Sequence, residues 1–223
     1  MTWGGAEGET AAEMARVLHF EGGDEATWHA AAAAQLARWT GEREGMELAV
    51  ANRLFGEATY TFRDEYVTLT RERYGAPLEP TDFRGAFEPA RVHINEWVAE
   101  QTRDRIEDLI PSGALDGTTR LVLTNAVYLN ADWAHAFDEA NTAPAAFHAP
   151  GGDVQAPMMR QTETFAFGVV DGAQVLAMPY RGEAFEMLVV LPTEADGLAA
   201  LESSLDPDRV AAWREAARPT RVQ

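Results

Sequence analysis

The sequence predicts an α+β fold, and three observations carry that expectation. Amphipathic helical patterns fill most of the first 110 residues, and short strand patterns dominate after residue 140. Between them lies a nearly continuous apolar run, Leu121 to Leu129. Helices first and strands later, rather than strict alternation, argues against a doubly wound sheet.

Each element has its own local signal. From Glu9 to Phe20, Ala12, Ala15, Met14, Val17 and Leu18 recur at helical spacing. Thr10 with Glu13 three residues later reads as a capping box at its start, and Gly22-Gly23 ends it. A second helix from about Glu25 carries Trp28, Ala32, Leu36 and Trp39 on one face. Met46 to Phe55 alternates as a strand, and Phe62 to Tyr74 reads as a short helix through Tyr66 and Leu69. The best-defined helix runs from Phe87 to about Arg105, with Ala90, Ile94, Trp97, Val98 and Gln101 on one stripe. Ile106, Leu109 and Ile110 extend that apolar surface until Pro111-Ser112-Gly113 breaks it. The β-branched run Leu121–Leu129 reads as a strand buried on both faces. Residues 165–170, 174–180 and 185–191 are apolar runs separated by Asp171-Gly172 and Arg181-Gly182, which predicts an antiparallel meander. Two short helices, Leu198 to Leu205 and Val210 to Ala217, close the chain.

Composition removes several function classes. The chain has 223 residues, 36 acidic and 18 basic, for a formal charge of −18. Every basic residue is arginine, and cysteine is absent. A thiol nucleophile, a thiolate zinc site and a disulfide framework are therefore excluded, as is a lysine-bearing phosphate loop. So acidic a surface repels a phosphate backbone, so no nucleic-acid partner is expected. No apolar run approaches the roughly 20 residues that span a bilayer, and the segment after Met1 does not resemble a signal peptide. Charge is spread evenly, without repeats or long linkers, so one domain is the default.

Reactive groups do not converge in the sequence. The serines are Ser112, Ser203 and Ser204, and none sits in a Gly-x-Ser-x-Gly elbow. The histidines are His19, His29, His93, His135 and His148, with no His-Glu-x-x-His pair. Asp132 and His135 lie three apart, but nothing nearby supplies a third metal ligand. His93 sits beside the apolar stripe of the Phe87 helix, where a packed or surface imidazole is expected. Acidic groups such as Glu42, Glu44 and Glu47 read as solvated faces. No enzyme, cofactor or metal is expected.

Several segments, in collinear order, resemble the serpin family. These are Ile94-Asn95-Glu96-Trp97-Val98-Ala99-Glu100-Gln101-Thr102, Ile106 to Ile110, and Leu123-Thr124-Asn125-Ala126-Val127-Tyr128-Leu129-Asn130-Ala131-Asp132-Trp133. In order they are similar to the helix crossing the family's main sheet, the turn after it, and the third strand of that sheet. Gly8 to Leu18 resembles the family's early Gly-x-Thr-x-x-(x)-Met segment, and Ala51-Asn52-Arg53-Leu54-Phe55 the second strand of sheet A. Met158-Met159, Met178-Pro179-Tyr180 and Leu188 to Pro192 are similar to strands of sheets C and B.

The resemblance implies a serpin-like multi-sheet α+β fold, with N-terminal helices and sheet A strands over about 7–133. Sheet B and C strands with short helices then occupy about 143–223, the whole being one partial domain truncated at both ends. It implies inhibition of serine proteases, and sometimes cysteine proteases, by a conformational trap. The protease cleaves an exposed reactive-centre loop, which inserts as a new strand into the main sheet. Asn125 matches the family asparagine near the point where the sheet opens, and Trp133 the tryptophan where the loop first enters. Leu129-Asn130-Ala131 departs from the aromatic, lysine and glycine usual there. The start of helix B is expected before Met1, and the fifth strand of sheet A and the reactive-centre loop beyond Gln223. The isolated chain is thus expected not to inhibit; the alternative is a non-inhibitory remnant, or a split-gene subunit completed in trans by a C-terminal serpin fragment. An extracellular location is implied by the resemblance, with the cytoplasm open because no signal peptide is seen.

Overall fold

The computed structural model describes every residue except Glu21, Pro150 and the side chain of Glu42, so the solvated face expected for Glu42 lies outside the described residues. The chain forms two compact units, Met1–Glu42 with Glu47–Asn130, and Arg43–Met46 with Ala131–Gln223.

In the first unit, a short 3-10 turn (Thr2–Gly5) precedes helices α1 (Gly8–Val17) and α2 (Glu25–Trp39). Glu7 holds the cap position of α1 without a side-chain capping bond, its carboxylate meeting Arg63 instead, so Thr10 lies inside the first turn and the expected capping box does not form. Asp24 caps α2 instead, its carboxylate accepting from Thr27 N at 2.7 Å. Strands β1 (Gly41–Arg43) and β2 (Met46–Glu57) lead to α3 (Asp64–Tyr74), β3 (Leu78–Thr81), α4 (Phe83–Gln101) and β4 (Leu121–Ala131). The sheet runs β1-β2-β3, with β4 also paired to β2. β3 was not legible in the sequence; it pairs parallel with β2, Leu54 opposite Leu78.

Helix α4 begins four residues before the expected start and breaks where that expectation placed it. Asp82 caps a first turn by accepting from Gly85 N at 2.7 Å. Ala86 then leaves helical geometry (φ −142°, ψ 43°), and the regular stretch restarts at Phe87. Pro89 follows in the restarted first turn, where a missing N–H costs no helical bond. At the far end Arg103 and Asp104 take left-handed φ values of 53° and 57°, which stops the helix short of Arg105. Thr102 seals the end: its hydroxyl donates to Val98 O and accepts from Ile106 N.

The core of this unit is Phe55, Phe83, Ala90, Ile94, Trp97, Val98 and Ala126, with Ile106, Ile110 and Val122 partly buried against it. It joins α4 to the faces of β2 and β4. The most buried carboxylate among the described residues of the unit, Glu57, sits at the end of β2 and faces the first turn of α4. It accepts from Phe83 N at 2.9 Å and Arg84 N at 3.2 Å, as well as from the Thr59 hydroxyl at 2.6 Å. These are free N–H groups of a helix start, where negative charge is favoured.

The second unit holds β5 (Ala143–Ala149) and β6 (Gly152–Met158), an antiparallel pair, and a second sheet. That sheet contains β7 (Glu163–Val170), β8 (Ala173–Pro179), β9 (Glu186–Pro192) and β10 (Arg218–Val222), in the order β10-β7-β8-β9. The expected meander is present. Asp171 and Gly172 both take left-handed φ values, 49° and 75°, as a two-residue hairpin turn requires. Helices α5 (Leu198–Ser203) and α6 (Pro207–Ala216) follow β9. Asp206 caps α6, Pro207 occupies its first turn, and Trp213 is buried on it. Phe165, Val175, Ala177 and Met178 are buried along β7 and β8.

Candidate functional site: the open edge of β4

β4 does not match the expectation of burial on both faces. Thr124 and Ala126 are buried, whereas Asn125, Val127 and Leu129 are exposed, Val127 at 55% and Leu129 at 49%. Successive side chains of a strand alternate in direction. The even-numbered side chains therefore face the α4 cluster, and the odd-numbered ones form a separate apolar row. Among the described residues of its sheet, β4 pairs with β2 alone. Along its eleven residues the other edge has no strand neighbour among the described residues.

Two features flank that edge within the first unit. The turn after α4 and the end of β4 enclose an open cleft of about 360 Å³, lined by Thr102, Arg105, Ile106, Val127, Leu129 and Asn130, among others. On the side toward β2, Asn125 Nδ2 donates to Asn52 Oδ1 at 2.7 Å. Asn52 is 7% exposed, and its own amide nitrogen donates to the carbonyl of Tyr74, the last residue of α3, at 3.0 Å. That carbonyl is one of the four a helix leaves without an internal partner. One buried amide thus joins β4, β2 and α3.

Trp133 belongs to the second unit. Its ring stacks on Tyr180 at 4.7 Å with planes 12° apart, and the two residues form an isolated antiparallel bridge. The strip is pinned on either side: Asp132 N donates to Gly45 O at 2.7 Å, and Ala134 N to Pro179 O at 3.0 Å. Arg181 N donates to Asp132 O at 2.8 Å, and its guanidinium lies 3.4 Å from the Asp132 carboxylate. Gly45 has φ +68°, and a Cβ there would lie 2.7 Å from Arg181 Cδ. Position 45 is thus confined to glycine by both backbone and space.

The histidines considered as ligands are engaged elsewhere. His135 makes an edge contact with Phe165 at 5.6 Å, and His93 Nε2 lies 2.5 Å from Glu79 Oε1. Glu79 Oε2 meets Arg53 at 2.7 Å, and Arg53 lies over the Trp97 ring. No group of three or more histidines and carboxylates gathers among the described residues. No helix among them is long and apolar enough to cross a membrane. Sequence reading missed Asn52, Glu57 and His29, which is buried on α2. A polar residue at an inward position of a strand or an apolar helix face is the signal that marks them.

Comparison with known proteins places this geometry. The family model described as Serpin (serine protease inhibitor) matches residues 1–223. The chain is 35% identical to serpin B4 of Homo sapiens over 94% of its length and 58% of that protein's. To leukocyte elastase inhibitor A of Mus musculus it is 36% identical, over 94% of this chain and 56% of the other. Among solved structures, ovalbumin from emu (Dromaius novaehollandiae) superposes with a TM-score of 0.92 at 27% identity. That match covers 99% of this chain and 61% of the ovalbumin chain. The chain thus spans somewhat under two thirds of the relatives it matches.

Proposed function

We propose that this chain, which belongs to the serpin family, forms the receiving body of a conformational trap for serine proteases. The observation that supports the reading best is β4: eleven residues, paired to β2 alone among the described strands of its sheet. A strand added there would pair with the free edge and set its own side chains beside Val127 and Leu129 on the same face. The gain on insertion is the energy that distorts the trapped acyl-enzyme.

In this reading Asn125 holds the edge in register until the new strand arrives. Its amide can bond across the opening because it carries both a donor and an acceptor. Trp133, stacked on Tyr180, marks where the strand first enters. The inserting segment and the bait residue that selects the protease are supplied from outside residues 1–223. The relatives named as elastase inhibitors support a serine protease as partner.

Incubating the chain, within a polypeptide that also supplies the inserting segment, with serine proteases of differing specificity tests the proposal. At least one should lose activity and yield an SDS-resistant complex of the two chains. Cleavage of the protein by every protease without such a complex would contradict it. Residues 1–223 alone should give no complex.

A further inference from the structure

The polar contacts at Asn125 continue through Asn52 into the helices. His29 is 2% exposed, packed between α2, α3 and the Thr2–Gly5 turn. Its Nδ1 lies 2.5 Å from the Tyr74 hydroxyl, and its Nε2 lies 3.3 Å from Glu25 Oε1. Tyr74 then connects to Asn52 through its carbonyl, and Asn52 to Asn125 through its side chain, at 3.0 and 2.7 Å. The unbroken series runs from an α2 side chain to the exposed row of β4.

One tautomer of a neutral imidazole pairs all three groups. Burial, with the nearby Glu25 charge, raises the Tyr74 phenol above its ordinary value, so the hydroxyl keeps its proton. A hydroxyl has one proton to give. The arrangement that satisfies every group has Tyr74 donating to Nδ1 and the imidazole donating from Nε2 to Glu25. Tyr74 is then held at two points, its ring by His29 and its carbonyl by Asn52. It is also the final residue of α3, after which Gly75 turns the chain through φ +60°.

We propose that His29 is a positioning residue for β4, acting through Tyr74 and Asn52 to set the Asn125 amide before a strand enters. It touches neither the edge nor the incoming strand. The proposal rests on the reading of β4 as a receiving edge.

The test uses four variants of the intact protein and two measurements. His29→Phe keeps a ring but loses both hydrogen-bonding nitrogens, and Tyr74→Phe removes a single oxygen. His29→Asn retains an acceptor near the Nδ1 position. Leu69→Ala is the packing control, since Leu69 and His29 both pack against Gly4. The measurements are the side-chain amide resonances of Asn125 and the rate of strand insertion after protease cleavage. His29→Phe and Tyr74→Phe should move the resonances and change the rate by about threefold or more, in the range of couplings measured through packed networks. His29→Asn should restore both toward the parent, and Leu69→Ala should leave the Asn125 resonances in place. If the parent inserts its strand while Tyr74→Phe changes neither measurement, the relay is overturned. If the parent does not insert, the receiving-edge reading falls and the functional role of His29 with it; the resonances still report whether the connection exists.

Discussion

Replacing Asn52 by alanine tests the junction on which β4 depends. The structure gives Asn52 two bonds, to the Tyr74 carbonyl at 3.0 Å and from the Asn125 amide at 2.7 Å, with 7% of the residue exposed. The two partners do not lose equally. The Tyr74 carbonyl is left without its donor beside a buried site, which costs about 1–3 kcal/mol. Asn125 is exposed and can turn to water, so its loss is limited to roughly 0.5–1 kcal/mol. The sum for Asn52→Ala is about 1.5–4 kcal/mol, whereas Asn125→Ala, a truncation at an exposed position that lets water reach Asn52 Oδ1, should cost under about 1 kcal/mol. For a chain of this size, each 1 kcal/mol lowers the melting temperature by about 2–4 °C. Calorimetry should therefore place Asn52→Ala about 3–16 °C below the parent and Asn125→Ala within about 4 °C of it. The double variant should fall short of the sum, because both single changes break the same bond. Equal shifts for the two single variants would refute the assignment of Asn52 as the shared anchor.

Other residues give independent checks. Ile94, fully buried in the α4 core, should cost about 2–5 kcal/mol on change to alanine, read as a lower urea midpoint. Glu57 is held below the usual carboxylate range, first by the Thr59 hydroxyl and then, against the opposing effect of burial, by backbone N–H donors that include Phe83 and Arg84. A depressed folded-state value means that its contribution is complete above the unfolded value and lost as pH falls through the folded one. Thermal unfolding below about pH 4 should therefore be steeper in pH for the parent than for Glu57→Gln. Gly45→Ala should destabilise by about 1 kcal/mol or more, because φ is +68° and Arg181 occupies the space. Adding Arg181→Gly, which removes the Cβ, Cγ and Cδ that crowd position 45, should recover part of that loss and leave the backbone part, as thermal melts will show.

The sequence carried the layout of the fold where its signals were local. The Asp171-Gly172 turn has the two left-handed residues that its composition announces, and the meander follows from it. Helix α4 was legible from its stripe of Ala90, Ile94, Trp97 and Val98, all of which are buried. Its first turn was hidden, because Ala86 interrupts the helical period and Pro89 reads as a breaker. β3 was missed for another reason: four residues containing a proline have no readable alternation, and pairing with β2 makes them a strand. Exposure of Val127 and Leu129 was equally invisible, since an apolar run does not record how many neighbours cover it. Asn125 was found through the family resemblance. Its link to Asn52, 73 positions away, and onward to His29 depends on the packing of two helices against a sheet. No periodicity encodes that.

Backbone hydrogen exchange along β4, followed in the intact protein before and after protease cleavage, tests the receiving edge most directly. Outward-facing amides of Leu121–Ala131 should exchange rapidly in the uncleaved protein and become protected by orders of magnitude once a strand has entered beside them. Complete cleavage with exchange along β4 unchanged would contradict the account.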